Sequence, residues 1–115
     1  MKTIDIEKLN KYFGDDKPTL VGFMELFISQ SKEYIDSLTE SVRDKNFEEI
    51  TKQAHKLKAT YGNMGIINAY EILSQIEYMD NKQGNYNEIL KLFMEFKNIH
   101  SQAETEAQEI IDKNK

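Results

Sequence analysis

The 115-residue chain has no cysteine, a single proline and five glycines. Without cysteine, neither disulfides nor thiolate metal sites are available, which fits a reducing compartment and predicts a cytoplasmic protein. No apolar run approaches the roughly 20 residues of a membrane span, and the N-terminus lacks the apolar core of a secretory signal. Few helix breakers and 30% charged residues favour a helical protein over a β-rich one.

The charge balance is acidic, with 15 basic against 20 acidic side chains and a formal net charge of −5. An acidic surface repels phosphate backbones, so we expect no nucleic-acid partner. The length suits one small domain over residues 1–115, and we find no repeat, low-complexity tract or linker. We expect that domain to be a monomer.

Polar turns divide the chain into amphipathic segments. A short first segment is capped by Thr3 or Asp5 and ends before Gly14. A long helix is predicted from about residue 18 to residue 44, with Asp16 as its N-cap and Pro18 in its first turn.

The third segment begins after Asn46, with Glu49 three residues later in a capping-box pattern. Its end is predicted near residues 62–63, Gly-Asn, which tolerate the left-handed conformation of a helix C-terminus. Its apolar stripe comprises Phe47, Ile50, Ala54, Leu57, Tyr61 and Met64. His55 lies roughly 130° from the centre of this stripe, so we predict that it points at solvent.

The surroundings of His55 are predicted to be flat and basic. Ala59 and Gly62, one and two turns later, have almost no side chain. Lys52, Lys56 and Lys58 are close by, and no acidic residue occurs from residue 51 to residue 61. A partner could therefore reach the imidazole ring.

A fourth segment is predicted from about residue 64 to residue 79, with Tyr70 among its inward residues. The last segment starts at Tyr86 and thins to small residues after His100, so its last turns are expected to project or fray. His100 itself lies on the apolar stripe, which predicts a buried and hydrogen-bonded histidine rather than a ligand. Four long segments and a short first one predict an all-α, antiparallel four-helix bundle with an additional short N-terminal helix.

The third segment resembles the signature of histidine-containing phosphotransfer (Hpt) domains, roughly A-H-x-L-K-G-S/A with a second glycine ten residues after the histidine. The matching residues are Ala54, His55, Leu57, Lys58 and Gly65. Ala59 replaces the usual glycine, and Thr60 replaces the usual serine or alanine. Weaker similarity extends over most of the chain, including Leu73, Ile76 and Glu77.

The resemblance implies a phosphocarrier rather than an enzyme. His55 would accept a phosphoryl group from the aspartate of a receiver domain and pass it to another receiver, with Lys58 stabilising the phosphoryl group. The partners would be a response-regulator receiver domain and a hybrid sensor kinase. The residues assigned to the partner surface are Thr51, Lys52, Lys56, Ala59 and Gly62. Leu57 and Gly65 would be structural, with Gly65 allowing a neighbouring helix to approach.

Such a transfer needs few catalytic groups on this chain, because an acyl phosphate is reactive and a neutral imidazole is a competent nucleophile. Mg²⁺ is expected on the receiver only, so no cofactor or metal is predicted here. With no carboxylate expected near His55, nothing would activate water and the phosphohistidine should persist. Lys17, Phe23 and Phe27 of the second helix could adjoin the partner surface.

Two alternatives remain open from the sequence. The chain could be a four-helix adaptor that binds a receiver domain without phosphotransfer, with His55 as an ordinary surface residue. It could also be an Hpt domain excised from a larger hybrid sensor kinase, with the same chemistry and a tethered partner.

Overall fold

Five helices make up the regular structure of residues 3–115, the part of the chain that the computed structural model describes. They are α1 (Ile6–Phe13), α2 (Lys17–Arg43), α3 (Phe47–Asn63), α4 (Ile67–Tyr78) and α5 (Tyr86–Lys113). Residues 1 and 2, at the N-terminus for which no signal segment is predicted, lie outside the described residues. Helices α2 and α4 each pack against both α3 and α5, while α1 packs on α2. The predicted four-helix bundle with a short N-terminal helix is confirmed.

Side-chain caps fix the starts of the first two helices. Asp5, not Thr3, caps α1, since its Oδ1 accepts from the backbone N–H of Lys8 at 3.0 Å. Asp16 caps α2 in the same way, as predicted, with Pro18 in the first turn. Such caps satisfy backbone donors that have no partner inside the helix.

The N-terminus of α3 has only half of the predicted capping box. Asn46 Oδ1 accepts from the backbone N–H of Glu49 at 3.2 Å. The reciprocal bond is missing because the carboxylate of Glu49 accepts from Gln53 Nε2 at 2.9 Å, and the backbone N–H of Asn46 donates to the Ser41 carbonyl at 2.9 Å.

Helix α3 ends at Asn63, as predicted, but a different residue adopts the left-handed conformation after it. The left-handed residue is Gly65, with φ +69°, rather than residue 62 or 63. The N–H of Ile66 donates to the carbonyl of Tyr61 at 3.0 Å, and the N–H of Gly65 donates to the carbonyl of Gly62 at 3.1 Å. These two bonds form a Schellman motif. Helix α4 therefore begins at Ile67, three residues after the predicted start.

The apolar stripe of α3 lies at the centre of the core, as predicted. Ile50, Ala54, Leu57 and Tyr61 are completely buried. The ring of Tyr61 contacts that of Phe96 on α5 edge to face, with 5.1 Å between centroids. Because this face of α3 is turned inward, its opposite face, which carries His55, is left to solvent.

Of the two predicted alternatives for the last turns of α5, projecting or fraying, the structure shows the first, since these turns stay helical and extend beyond α3 and α4. Helix α5 continues to Lys113, and its small residues Ala103 and Ala107 are completely buried. The first turns of α2 and the last turns of α5 extend past α3 and α4, and α1 covers this extension with Leu9, which is 2% exposed. The small side chains of α5 let these helices pack closely.

His100 is buried and hydrogen-bonded, as predicted. Its Nδ1 lies 2.6 Å from the Tyr61 hydroxyl, and its Nε2 lies 2.9 Å from Glu104 Oε2. A neutral ring satisfies both contacts when Nε2–H donates to the carboxylate and Tyr61 O–H donates to Nδ1. Burial lowers the pKa of His100, and this effect outweighs the nearby Glu104 carboxylate, which raises it.

Candidate functional site

His55 is the ninth residue of α3 and lies on its outer face, with 68% of its side chain exposed. The solvent-facing orientation predicted from the stripe is confirmed. Its backbone is held by a helix whose other face is completely buried, so the ring projects from a rigid support.

A carboxylate holds one nitrogen of the ring. His55 Nδ1 lies 2.6 Å from Oε2 of Glu77, which comes from the last turn of α4. The Glu77 side chain is only 9% exposed. The expectation that no carboxylate lies near His55 was therefore wrong, and the absence of a carboxylate cannot be what protects a phosphohistidine here.

The same carboxylate binds Lys58. Lys58 Nζ forms an ion pair with Glu77 Oε1 at 2.7 Å and donates to the Tyr78 hydroxyl at 3.4 Å. The ammonium also lies 4.8 Å from the centre of the Tyr78 ring and 5.7 Å from that of Tyr70. Its side chain is 12% exposed. Lys58 is thus a tethered cation beside His55 rather than a solvated one.

The two ionisable partners stabilise each other's charged forms. Burial alone would raise the pKa of Glu77, but the contacts with Lys58 and His55 outweigh it and leave that pKa below its usual range. The bond to Glu77 raises the pKa of Lys58, against the opposing effect of burial. Around neutral pH the site therefore contains a carboxylate and an ammonium.

This protonation state fixes the tautomer of a neutral His55. An ionised carboxylate can only accept a hydrogen bond, so Nδ1 must carry the proton. The lone pair is then on Nε2, which makes no hydrogen bond within residues 3–115 and belongs to a largely exposed ring. The geometry presents Nε2 as a nucleophile, with Glu77 placed to stabilise positive charge that develops on the ring.

The surface around His55 has less unpaired positive charge than the sequence indicated. Lys52 pairs with Glu48 at 3.5 Å, and Lys58 pairs with Glu77. Lys56 is exposed and forms no ion pair with any described residue. Of the three lysines, only Lys56 is left to act on a partner as a free cation.

The flat surface expected beside His55 is only partly there. Ala59 is exposed as predicted, but Gly62 is half-buried. A Cβ added at Gly62 would lie 3.2 Å from the ring of Tyr70. Tyr70 was expected to point inward and is 41% exposed, so that prediction was wrong. The absence of a side chain at Gly62 makes room for this ring.

The two residues assigned structural roles differ in their partners. Leu57 is completely buried in the core. At Gly65 the close approach is made by the N-cap of α1, since an added Cβ would lie 2.6 Å from the Cβ of Asp5.

Thr51, predicted for the partner surface, is half-buried, and its hydroxyl donates to the Phe47 carbonyl at 3.0 Å, which leaves it little to offer a partner.

The three residues suggested from α2 do not join His55. Phe27 is 3% exposed and packs on Tyr61 inside the core. Phe23 is half-buried against Phe13. Lys17 starts α2, and at 1.5 Å per residue it lies roughly 25 Å along the bundle from the level of His55. The surface beside His55 is instead completed by α4, through Glu77, Tyr78 and Tyr70.

Sequence comparison identifies the family of the chain. The model of the Hpt domain family matches residues 22–110, more than three quarters of the chain. The chain belongs to the Hpt domain family. No significant match to a curated protein or to a solved structure was found.

Hpt domains are phosphocarrier modules of two-component signalling rather than classical enzymes, and they interact with receiver domains and sensor kinases. Within residues 3–115 of this Hpt domain, no helix is long and apolar enough to cross a membrane. The same part of the chain holds no group of three or more histidine, aspartate and glutamate side chains that could bind a metal ion.

Sequence reasoning missed Glu77, Tyr70 and Tyr78 as parts of the site. In the sequence, Glu77 is only an ordinary match to the family within the fourth segment. Its contact with His55 joins residues 22 positions apart, so no helical periodicity connects them. The available signal was a glutamate near the end of the helix that follows the histidine helix.

Proposed function

We propose that this chain is a phosphorelay intermediate that accepts a phosphoryl group on Nε2 of His55 and passes it to a second receiver domain. The observation that carries the proposal is the largely exposed ring of His55, whose Nδ1 lies 2.6 Å from Glu77 while Nε2 makes no hydrogen bond within residues 3–115. A hybrid sensor kinase would supply the donor receiver, and a response regulator would supply the acceptor.

In the first step the Nε2 lone pair attacks phosphorus of the donor's aspartyl phosphate. An N–P bond forms, the bond between phosphorus and the aspartyl oxygen breaks, and the aspartate leaves as a carboxylate with the bonding electrons. The ring, protonated on Nδ1, becomes positively charged beside the Glu77 carboxylate. In the second step an aspartate of the acceptor attacks phosphorus, the N–P bond breaks, and its electron pair returns to Nε2.

Glu77 has two roles in this scheme. It holds the proton on Nδ1, and its charge stabilises the ring as positive charge develops. Both of its oxygens are already engaged, one by His55 and one by Lys58, and its side chain is nearly buried. It is therefore poorly placed to activate water on the Nε2 side, so a persistent phosphohistidine stays a prediction on this new ground.

Lys58 would contribute the cation nearest to the reaction. It lies one turn after His55 and binds the carboxylate that His55 binds. Its ammonium is on a flexible stem with three donors, so it would turn toward a phosphoryl oxygen once the group is on His55. The receiver would bring Mg²⁺, and no cofactor is proposed for this chain.

The proposed partner surface lies over α3 and α4. On α3 it includes the exposed residues Lys56 and Ala59 beside His55. On α4 it includes Tyr70 and Tyr78, which are 41% and 70% exposed. Partly exposed aromatic side chains flanking a reactive group are suited to a protein partner that covers the site.

The test is labelling by a phosphorylated receiver domain. His55→Gln should abolish labelling with almost no change in melting temperature, because an exposed side chain contributes little to stability. The matched control is His100→Gln, which should lower stability and still accept the label. The label should be acid-labile and base-stable, as expected of a phosphoramidate.

The outcomes separate the proposal from its rivals. Undiminished labelling of His55→Gln would overturn it, and a base-labile label would indicate a carboxylate acceptor. A receiver domain that binds the wild-type chain without ever labelling it would favour the adaptor interpretation.

A further inference from the structure

The C-terminus of α4 is closed by a lysine side chain from the following loop. Lys82 Nζ donates to the backbone carbonyls of Glu77 and Met79, both at 3.0 Å. Both contacts are partly buried, and Lys82 is half-buried. An ammonium at a helix C-terminus also faces the negative end of the helix dipole.

The loop that carries Lys82 connects α4 to α5 and folds back toward the C-terminus of α4. Asn81 adopts a positive φ of 47°, and its Oδ1 accepts from the backbone N–H of Gly84 at 3.2 Å. Asn85 Nδ2 donates to the carbonyls of Asp80 and Asn81 at 3.2 and 3.1 Å. These bonds give the loop a defined conformation, so the placement of Lys82 does not depend on its own contacts alone.

Glu77 is consequently held at both ends. Its carboxylate binds His55 and Lys58, and its main-chain carbonyl binds Lys82. Glu77 is the second-last residue of α4, where backbone carbonyls have no partner inside the helix and the last turn readily opens. An anchor on that carbonyl restricts the motion of the carboxylate that orients His55.

We propose that Lys82 is a positioning residue for the phosphoryl-accepting histidine, acting through the last turn of α4 and Glu77. This inference rests on the proposed function. The effect of Lys82 on the His55 ring, however, needs no phosphoryl group and can be measured in the unphosphorylated chain. Lys82 does not touch the histidine in this arrangement. It limits the freedom of the carboxylate, and the carboxylate selects the ring tautomer that leaves Nε2 unprotonated.

The direct test is the tautomer of His55 measured through its ring ¹⁵N chemical shifts. At about pH 9, well above the ordinary range for histidine titration, wild type should carry its proton mainly on Nδ1. Lys82→Met keeps the aliphatic stem and removes the two charge-assisted bonds. The ratio of the Nδ1–H to the Nε2–H form should fall by about threefold or more. Lys82→Arg retains the donors and should keep most of the wild-type ratio.

Lys8 offers a matched control. Its Nζ donates to the Gly62 carbonyl at 3.0 Å, near the end of α3, so Lys8→Met removes the same kind of lysine–carbonyl contact from a different helix. It should leave the His55 tautomer unchanged. Melting temperatures and amide spectra of both variants would verify that the fold is intact.

An unchanged tautomer in folded Lys82→Met would overturn the inference, as would an equal change in Lys8→Met. Should Lys82→Met fail to fold, Lys82→Ala also removes both bonds and is read in the same way, since an unchanged tautomer in the folded variant would overturn the inference. Because no phosphoryl group takes part, a failure here leaves phosphotransfer to His55 untouched. A failure of labelling would, in turn, leave the tautomer result standing.

Discussion

Glu77 Oε2 lies 2.6 Å from His55 Nδ1, and the other oxygen of the same carboxylate lies 2.7 Å from Lys58 Nζ. One nearly buried side chain from α4 thereby joins the two residues of α3 that the sequence motif marks. The site consequently depends on how α4 docks against α3, and not on α3 alone. This dependence determines which substitutions should affect phosphotransfer.

Replacing Glu77 should slow phosphotransfer without removing the acceptor. Glu77→Ala removes both the acceptor of the Nδ1 proton and the negative charge, so the transfer rate should fall by about tenfold or more. Glu77→Gln keeps an oxygen that can accept from Nδ1–H but has no charge, so its rate should lie between those of wild type and Glu77→Ala. Rapid-quench time courses with a phosphorylated receiver would measure both rates.

Glu71 provides the control for that experiment. It is an exposed acid on the same helix, and Glu71→Ala changes the net charge by the same amount. Its transfer rate should match that of wild type. Equal rates for Glu77→Ala and wild type would mean that the ring needs no carboxylate partner.

The sequence was sufficient to predict much of this arrangement. The spacing of Ile50, Ala54, Leu57 and Tyr61 specified which face of α3 is buried, and that determined the exposure of His55. Such periodicity is local information, because it depends only on the geometry of one helix. The caps at Asp16 and Asn46 are local for the same reason.

The rest depended on tertiary contacts. Which side chain of α4 meets His55 depends on the rotation and height of α4 relative to α3, and a shift of one residue would replace Glu77 with a neighbour. The docking of the segment before α1 against α5, where the backbone N–H groups of Thr3 and Ile4 donate to the Glu106 carboxylate, was likewise not predictable from local pattern. The small residues Ala103 and Ala107 were interpreted as a weak helix end, whereas they allow close packing.

Gly65 should tolerate no side chain. Its φ of +69° is unfavourable for other residues, and a Cβ there would lie 2.6 Å from the Cβ of Asp5. Gly65→Ala should therefore lower the free energy of unfolding by about 1–3 kcal/mol. Gly22 is the control, because it is an exposed helical glycine and no atom lies within 4 Å of the position that an added Cβ would take. Gly22→Ala should raise stability by about 0.5–1 kcal/mol.

Urea titrations of both glycine variants would check this pair of predictions. If Gly65→Ala proved as stable as wild type, α1 could shift away from the turn without loss. The contact with Asp5 would then contribute little to the fold.

His100 should make stability depend on pH. Burial lowers its folded-state pKa below the ordinary value of 6.5, so in the interval between the two values the unfolded chain binds more protons. Stability should therefore fall as the pH drops below about 6.5, and level off once the folded-state pKa is passed. Above 6.5 this residue should contribute no pH dependence.

The check is a comparison of unfolding free energies for wild type and His100→Gln from pH 8 to pH 5. The difference between the two should shrink as the pH falls. In wild type the unfolded chain gains a proton on His100 that the folded chain does not bind, whereas His100→Gln has no such group. A difference that stays constant over this range would contradict the assignment.

Lys58 and Lys56 should differ in how their contributions respond to salt. Lys58 is 12% exposed and bound to Glu77, whereas Lys56 is exposed and has no ion pair among the described residues. Within a docked complex, a cation beside the phosphoryl group is screened poorly, so Lys58→Met should slow transfer at both low and high salt. Lys56→Met should slow mainly the encounter with the partner, and its effect should fade as salt rises. Transfer rates at ionic strengths of about 0.01 M and 1 M, where the Debye length falls from roughly 30 Å to 3 Å, would separate the two. If both effects vanish at high salt, the lysines only steer the partner, and the orientation of His55 by Glu77 must account for the reactivity of the site.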